Sequence, residues 1–253
     1  MEDYLQNFNA EEKKKECIER IKEYFIKEEN KDCSCVIGIT GGATSTLLAM
    51  LCKEALGVDR VVGICLEDEK YNRYGGVIAD QLGIKTITMD IPMATDTIYG
   101  LISFGFDSNK RIRERISNKN LFYRDSIVDG TKEEIFADIC MSVTKAIGKN
   151  CNGRIMNISN RTQNWLGRLS VFDNGGGDFA PLANLTLSEI KKILELWDLR
   201  FMSDLFNKNE EDSIGYDYSV VDKYILTGQI DDNKLKNELD EIHKKKGISV
   251  KES

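Results

Sequence analysis

The stretch VIGITGGATSTLLAML, Val36 to Leu51, constrains the fold more than any other part of the chain. An apolar run gives way to a Gly41-Gly42 turn and then to leucines at helical spacing, so it reads as strand, tight turn and helix. Such a turn aims unpaired backbone N–H groups and the positive end of a helix dipole at one point, which suits an anion. Thr40, Thr44, Ser45 and Thr46 add hydroxyls around it. The turn matches neither the dinucleotide fingerprint G-x-G-x-x-G nor the Walker pattern G-x-x-x-x-G-K-[ST], and it holds no acid and no lysine. A plain tight turn without a ligand is the competing reading.

Strands and helices alternate on either side of it. A capping box at Asn9 to Glu12, followed by Ile18, Ile21 and Phe25 at helical spacing, predicts an amphipathic helix ahead of the first strand, Cys35 to Ile39. Leu47, Leu48, Leu51 and Ala55 form the stripe of the next helix, which Gly57 is placed to end. RVVGICL is an apolar run of the kind buried on both faces of a sheet. Tyr71 to Leu82 predicts a helix stopped at Gly83, and KTITMDI a third strand. A short helix is expected at Thr95 to Ile102, and the segment 103–130 is expected to be a mobile insertion.

A second capping box at Thr131 to Glu134 begins a helix that turns Ile135, Ile139, Val143 and Ile147 inward. RIMNIS is a fourth strand, NRTQNWLG a helix start, and FDNGGGDFAPL a loop. A third capping box, Thr186 to Glu189, opens a helix with Ile190, Ile193, Leu194 and Trp197 on one face. Two helices follow between Asp217 and His243, with Leu235, Leu239 and Ile242 facing the body, and 246–253 is expected to be a frayed tail. The alternation implies right-handed crossovers and a doubly wound parallel sheet flanked by helices, an α/β fold forming a single domain over residues 1–253.

Composition narrows the function. A net charge of −7, from 42 acidic and 35 basic side chains, argues against a nucleic-acid partner. The basic run Lys110 to Arg115 is the exception, read as a solvated face or as a phosphate contact. Seven cysteines lack zinc-finger spacing, and Cys33-Ser34-Cys35 is too close for a C-x-x-C motif. No apolar run approaches the ~20 residues that span a bilayer. A soluble protein of the reducing cytoplasm, with no membrane partner, is the expectation.

The turn, [ST]-G-G-x-x-S, resembles the S-G-G-x-D-S loop of the ATP pyrophosphatases, which split ATP between its α and β phosphates. Downstream, NISNRTQNWLG and RLSVFDNGGGDFAPL resemble the ammonia-dependent NAD synthetases. In that family a strand ending G-T-[GD]-[NH] is followed by K-T-E-x-x-x-G, then by [FY]-[FT]-x-K-Y-G-D-G-G-x-D and a proline. LTLSEIKKILELW and EEDSIGYDYSVVDKYI are similar to its L-x-K-T-x-V-x-x-L-A helix and its D-E-x-x-L-G-x-S-Y-x-x-L-D segment. The resemblance runs over residues 9–228, apart from the insertion.

It implies an adenine nucleotide alpha hydrolase-like fold, small nucleotides as ligands, ATP with Mg²⁺, and a homodimer with the dinucleotide site at the interface. The implied reaction adenylates the carboxylate of nicotinic acid adenine dinucleotide, after which ammonia displaces AMP to give NAD. On this resemblance Thr40, Gly41, Gly42, Thr44, Ser45, Thr46, Asn160 and Arg161 are nucleotide-binding candidates. Asp173 and Asp178, flanking the triple glycine, are candidates for the catalytic step; Asp173 stands one residue before the family's aspartate position, now Asn174.

The chain also departs from the family. Thr44 stands at the position of the loop aspartate and Gln163 at that of the glutamate in K-T-E, so both family metal ligands have become neutral. Val171 replaces the lysine of x-K-Y-G-D, Ile158 replaces the strand-end threonine, and Asp138 and Cys140 replace the arginines of A-R-x-R-M. Two readings follow: a working NAD synthetase-like ligase, or a relative that binds an adenine nucleotide without efficient synthesis.

Overall fold

Asn9 caps the first helix, its Oδ1 accepting the N–H of Glu12 at 3.1 Å, and Cys17, Ile18, Ile21 and Phe25 recur along one buried face. This helix, α1 (Ala10–Ile26), begins a computed structural model that describes residues 5–67, 74–108, 131–166, 176–197, 217–230, 236–237 and 240–241. Then come β1 (Ser34–Gly38), α2 (Ala43–Leu56), β2 (Val61–Glu67), α3 (Gly75–Leu82), β3 (Lys85–Asp90) and α4 (Pro92–Ser108). The later elements are α5 (Thr131–Asn150), β4 (Gly153–Met156), α6 (Arg161–Trp165), α7 (Leu187–Leu194) and α8 (Tyr218–Thr227).

Among the described residues the sheet has four parallel strands in the order β3-β2-β1-β4. Cys35 pairs with Val61 on one side and with Arg154 on the other, so β1 is central. The chain moves outward through β2 and β3, then returns to place β4 on the far side of β1. That reversal opens a crevice at the carboxyl ends of β1 and β4, the usual ligand position in doubly wound sheets. The fold class is the one the alternation implies.

Side chains alternate along β1. Cys35 and Ile37 join the core shared with α1, α2, α3 and α7, where Ile21, Leu47, Leu48, Leu51, Ile78, Ile190 and Ile193 have no exposed surface. Val36 points to the other side, toward Ile64, Leu66, Ile91 and Ile155, and α5 covers them with the half-buried Phe136, Ile139, Val143 and Ile147. One layer is thick; the other is thin.

Several boundaries move from their sequence expectations. The fourth strand ends at Met156, not at Ser159, because the Asn157 N–H turns to Phe179 O at 2.8 Å and Asn157 Oδ1 accepts Ser159 N–H at 2.7 Å. The described part of the third helix starts at Gly75, with 71–73 outside the described residues. The short helix expected at Thr95 to Ile102 extends from Pro92 to Ser108, running into the segment expected to be mobile. Residues 109–130, with the Lys110 to Arg115 run, lie outside the described residues, as do Leu235, Leu239, Ile242 and the tail. All seven cysteines are free, and no described helix is long and apolar enough to cross a membrane.

Candidate functional site

The turn between β1 and α2 is tied by its own hydroxyls. Ser45 Oγ accepts the Thr40 N–H at 3.3 Å, lies 3.0 Å from Thr40 Oγ1 and donates to Gly42 O at 3.1 Å. Thr46 Oγ1 donates to the same carbonyl at 2.9 Å, and Thr40 Oγ1 accepts the Gly42 N–H at 3.3 Å. Ser45 and Thr46 are buried, so their hydroxyls shape the turn, whereas Thr40, Gly42 and Thr44 keep partial exposure. No side chain caps α2 at Gly42. Its first N–H groups therefore lack the usual partner and, with the helix dipole, favour an anion.

Glycine is demanded at two places around this turn. Gly41 has φ +91°, a left-handed value that strains other residues. Gly75 opens α3 directly against β1's extension: a Cβ there would lie 2.1 Å from Ile39 O. This close approach leaves room for glycine alone at the start of the described helix.

Beside Thr40, at the start of the turn, lies a cleft open to solvent. Gly38, Ile39 and Thr40 form its floor with Ile64 and Leu66 of β2; Ala137, Cys140, Met141 and Thr144 of α5 form one wall, and Ile155 to Ile158 the other. The lining is mainly apolar. Cys140 and Ile158, two departures from the family pattern, face this space, while Asp138 is exposed and does not line it. Sequence reading missed Ile64, Leu66, Met141, Thr144 and Asn157 as site residues. Their signal was positional, since strand carboxyl ends and the helix covering them line such crevices.

The structure brings the two halves of the predicted site together. Asn160, which is buried, caps α6 by accepting the Gln163 N–H at 2.9 Å, and its Nδ2 donates to Thr44 Oγ1 at 3.1 Å. Arg161 is exposed, with its N–H on Leu185 O at 2.7 Å. Asp178 sits at the β4 edge, where its Oδ2 accepts the Ile155 N–H at 2.7 Å and so replaces a strand partner. Asp173, Val171 and Asn174 lie outside the described residues.

A protein-held Mg²⁺ does not fit the described residues. Thr44 Oγ1 already accepts from Asn160, and Gln163 Oε1 is buried without a hydrogen-bond partner, a neutral acceptor where the family resemblance places a carboxylate. No group of three or more His, Cys, Asp or Glu gathers to hold a metal among the described residues. Mg²⁺ is ordinarily fixed by one or two carboxylates together with phosphates and water. Among the described residues no such carboxylates gather.

Deeper in the same region, Asp222 of α8 is fully buried and accepts hydrogen bonds from the Thr162 hydroxyl and from the Ser188 N–H. Burial raises its carboxyl above the ordinary aspartate value, and these hydrogen bonds oppose the shift. In the sequence it is the last residue of the stretch that resembles the family's D-E-x-x-L-G-x-S-Y-x-x-L-D segment, set within the apolar run SVVDKYI.

Comparison with known proteins agrees with this architecture. The NH(3)-dependent NAD(+) synthetase of Methanococcus aeolicus is 25% identical over 218 residues, covering 81% of this chain and 77% of that protein. Among solved structures, NMN synthetase from Francisella tularensis superposes with a TM-score of 0.72 at 17% identity, covering 95% of both chains. The NH3-dependent NAD synthetase from Campylobacter jejuni gives 0.68 at 18%, covering 94% of both. At these identities the two structures bear on the fold alone. The sequence model of the NAD synthase family matches residues 14–253, so the uncapped helix, the hydroxyl-tied turn and the cleft before them sit in a chain that belongs to the NAD synthase family.

Proposed function

We propose that the chain is an ammonia-dependent, amide-forming ligase of the NAD synthetase type, using ATP to activate the carboxylate of nicotinic acid adenine dinucleotide. The observation that carries this reading is the uncapped amino end of α2, reached by a glycine turn whose first residue, Thr40, lines the cleft. A carboxylate oxygen attacks the α phosphorus of ATP, the bond to the bridging oxygen breaks, and pyrophosphate leaves toward the turn. Ammonia then attacks the acyl carbon, AMP leaves with the electrons of the C–O bond, and loss of a proton gives the amide. The turn's N–H groups stabilise charge on the departing phosphates. The apolar lining suits the adenine ring.

Met89, Met93 and Leu101 are 40%, 76% and 67% exposed on β3 and α4, which supports a homodimer covering that edge. A monomeric mass by light scattering would count against it. The free thiols suit a reducing cytosol.

Mixing the protein with ATP, Mg²⁺, ammonia and the dinucleotide tests the reaction. Equal release of AMP and NAD at about 1–10³ per second, the ordinary enzyme range, is expected. A second reading rests on the neutral Thr44 and Gln163: the chain holds an adenine nucleotide but turns it over poorly. A thermal shift with ATP and almost no AMP release would favour that reading. In that event Thr44→Asp combined with Gln163→Glu is expected to raise metal-dependent turnover.

A further inference from the structure

We propose that Asp222, on α8, is a positioning residue for the nucleotide site: it holds α6, and through Asn160 it holds the Thr44 corner of the phosphate-binding turn. Asp222 and Thr162 are both 0% exposed. Asp222 Oδ1 accepts the Thr162 hydroxyl, and its Oδ2 accepts the Ser188 N–H at 2.7 Å. Thr162 Oγ1 accepts the Leu187 N–H at 3.0 Å. One carboxylate therefore ties α8, α6 and the amino end of α7 at a single point. No Lys, Arg or His among the described residues forms an ion pair with it; its charge rests on hydrogen bonds and on the favourable end of the α7 dipole.

The tie matters because α6 is only five residues long and cannot hold its own place. Thr162 lies between Asn160 and Gln163, on the first turn of that helix. Asn160 uses both ends of its amide, Oδ1 on the Gln163 N–H and Nδ2 on Thr44 Oγ1. A tilt of α6 therefore moves the group that grips the turn. Asparagine at 222 keeps the shape but puts an amide N–H in place of one acceptor oxygen, so either the Ser188 N–H or the Thr162 hydroxyl proton loses its acceptor.

The kinetic arm of the test rests on the ligase reading above. In Asp222→Asn the KM for ATP is expected to rise about tenfold, the size of one lost buried hydrogen bond, while the KM values for ammonia and the dinucleotide stay within about twofold. A residue that only stabilises the fold would lower the folded fraction and leave every KM unchanged. Thr162→Ser is expected to retain the wild-type KM for ATP and Thr162→Val to behave as Asp222→Asn, with the double variant no worse than either single one. An unchanged KM in Asp222→Asn, or additive single and double effects, overturns the proposal.

If the wild-type protein makes no AMP, the ligase reading fails by itself, and amide hydrogen exchange decides the positioning. Exchange over residues 160–166 is then expected to quicken at least about tenfold in Asp222→Asn or, should that variant not fold, in Thr162→Val, with β1 and α1 unaffected. Unchanged exchange there overturns the proposal.

Discussion

The two faces of the sheet are built to different standards. On one side α1, α2 and α7 bury Ile21, Leu47, Leu48, Leu51, Ile190 and Ile193 completely. On the other, α5 offers only half-buried side chains, and α4 leaves Met93 and Leu101 largely in solvent. The glycine turn belongs to the thick face, since α2 continues straight from it; the outer wall of the cleft, through Cys140, Met141 and Thr144, belongs to the thin one. A fixed turn is thus paired with a wall that has less holding it. Local opening follows few buried contacts, so the wall is where ligand-dependent adjustment is expected.

The largest effect should come from the thick side. Leu51→Ala removes a fully buried side chain and is expected to cost about 2–5 kcal/mol in urea unfolding. On the thin side Ile147→Ala is expected to cost about 1 kcal/mol, because that side chain is already partly in water. Equal losses at both positions would abolish the contrast. Hydrogen exchange sharpens it, with α5 amides expected to exchange faster than those of α2 and to slow when ATP is added. Smallest is the surface pair between Lys132 of α5 and Asp96 of α4, 2.5 Å apart and both more than half exposed. Asp96→Asn should change stability by no more than about 1 kcal/mol, and a larger loss would mean that the thin face relies on charge more than on packing.

The thick face was the readable one. Stripes such as Leu47, Leu48 and Leu51, or Ile190, Ile193 and Leu194, follow the helical period because one side of each helix is wholly apolar, and the periodicity is the burial. The turn was legible for the same reason, with Gly41 and Gly42 standing between two strong patterns. The cleft wall was not. Met141, Thr144 and Asn157 carry no motif, and only the placement of β4 beside β1 gives them a common purpose. Nor did pattern show that Ser45 and Thr46 turn inward, since a hydroxyl beside a phosphate and one closing a helix's first turn are identical in sequence. Asp178 is similar: an acid after glycines suggests chemistry, yet its carboxylate completes the hydrogen bonding of β4.

Ser34 lies beside Gly153 in the sheet, so the cleft joins stretches from opposite halves of the chain. During synthesis no cofactor-sized hollow can exist until the later half emerges and slots into place. A bound nucleotide would then recognise only finished molecules and draw them out of the pool of incomplete ones, so that cellular ATP would act as a selective preservative of this protein.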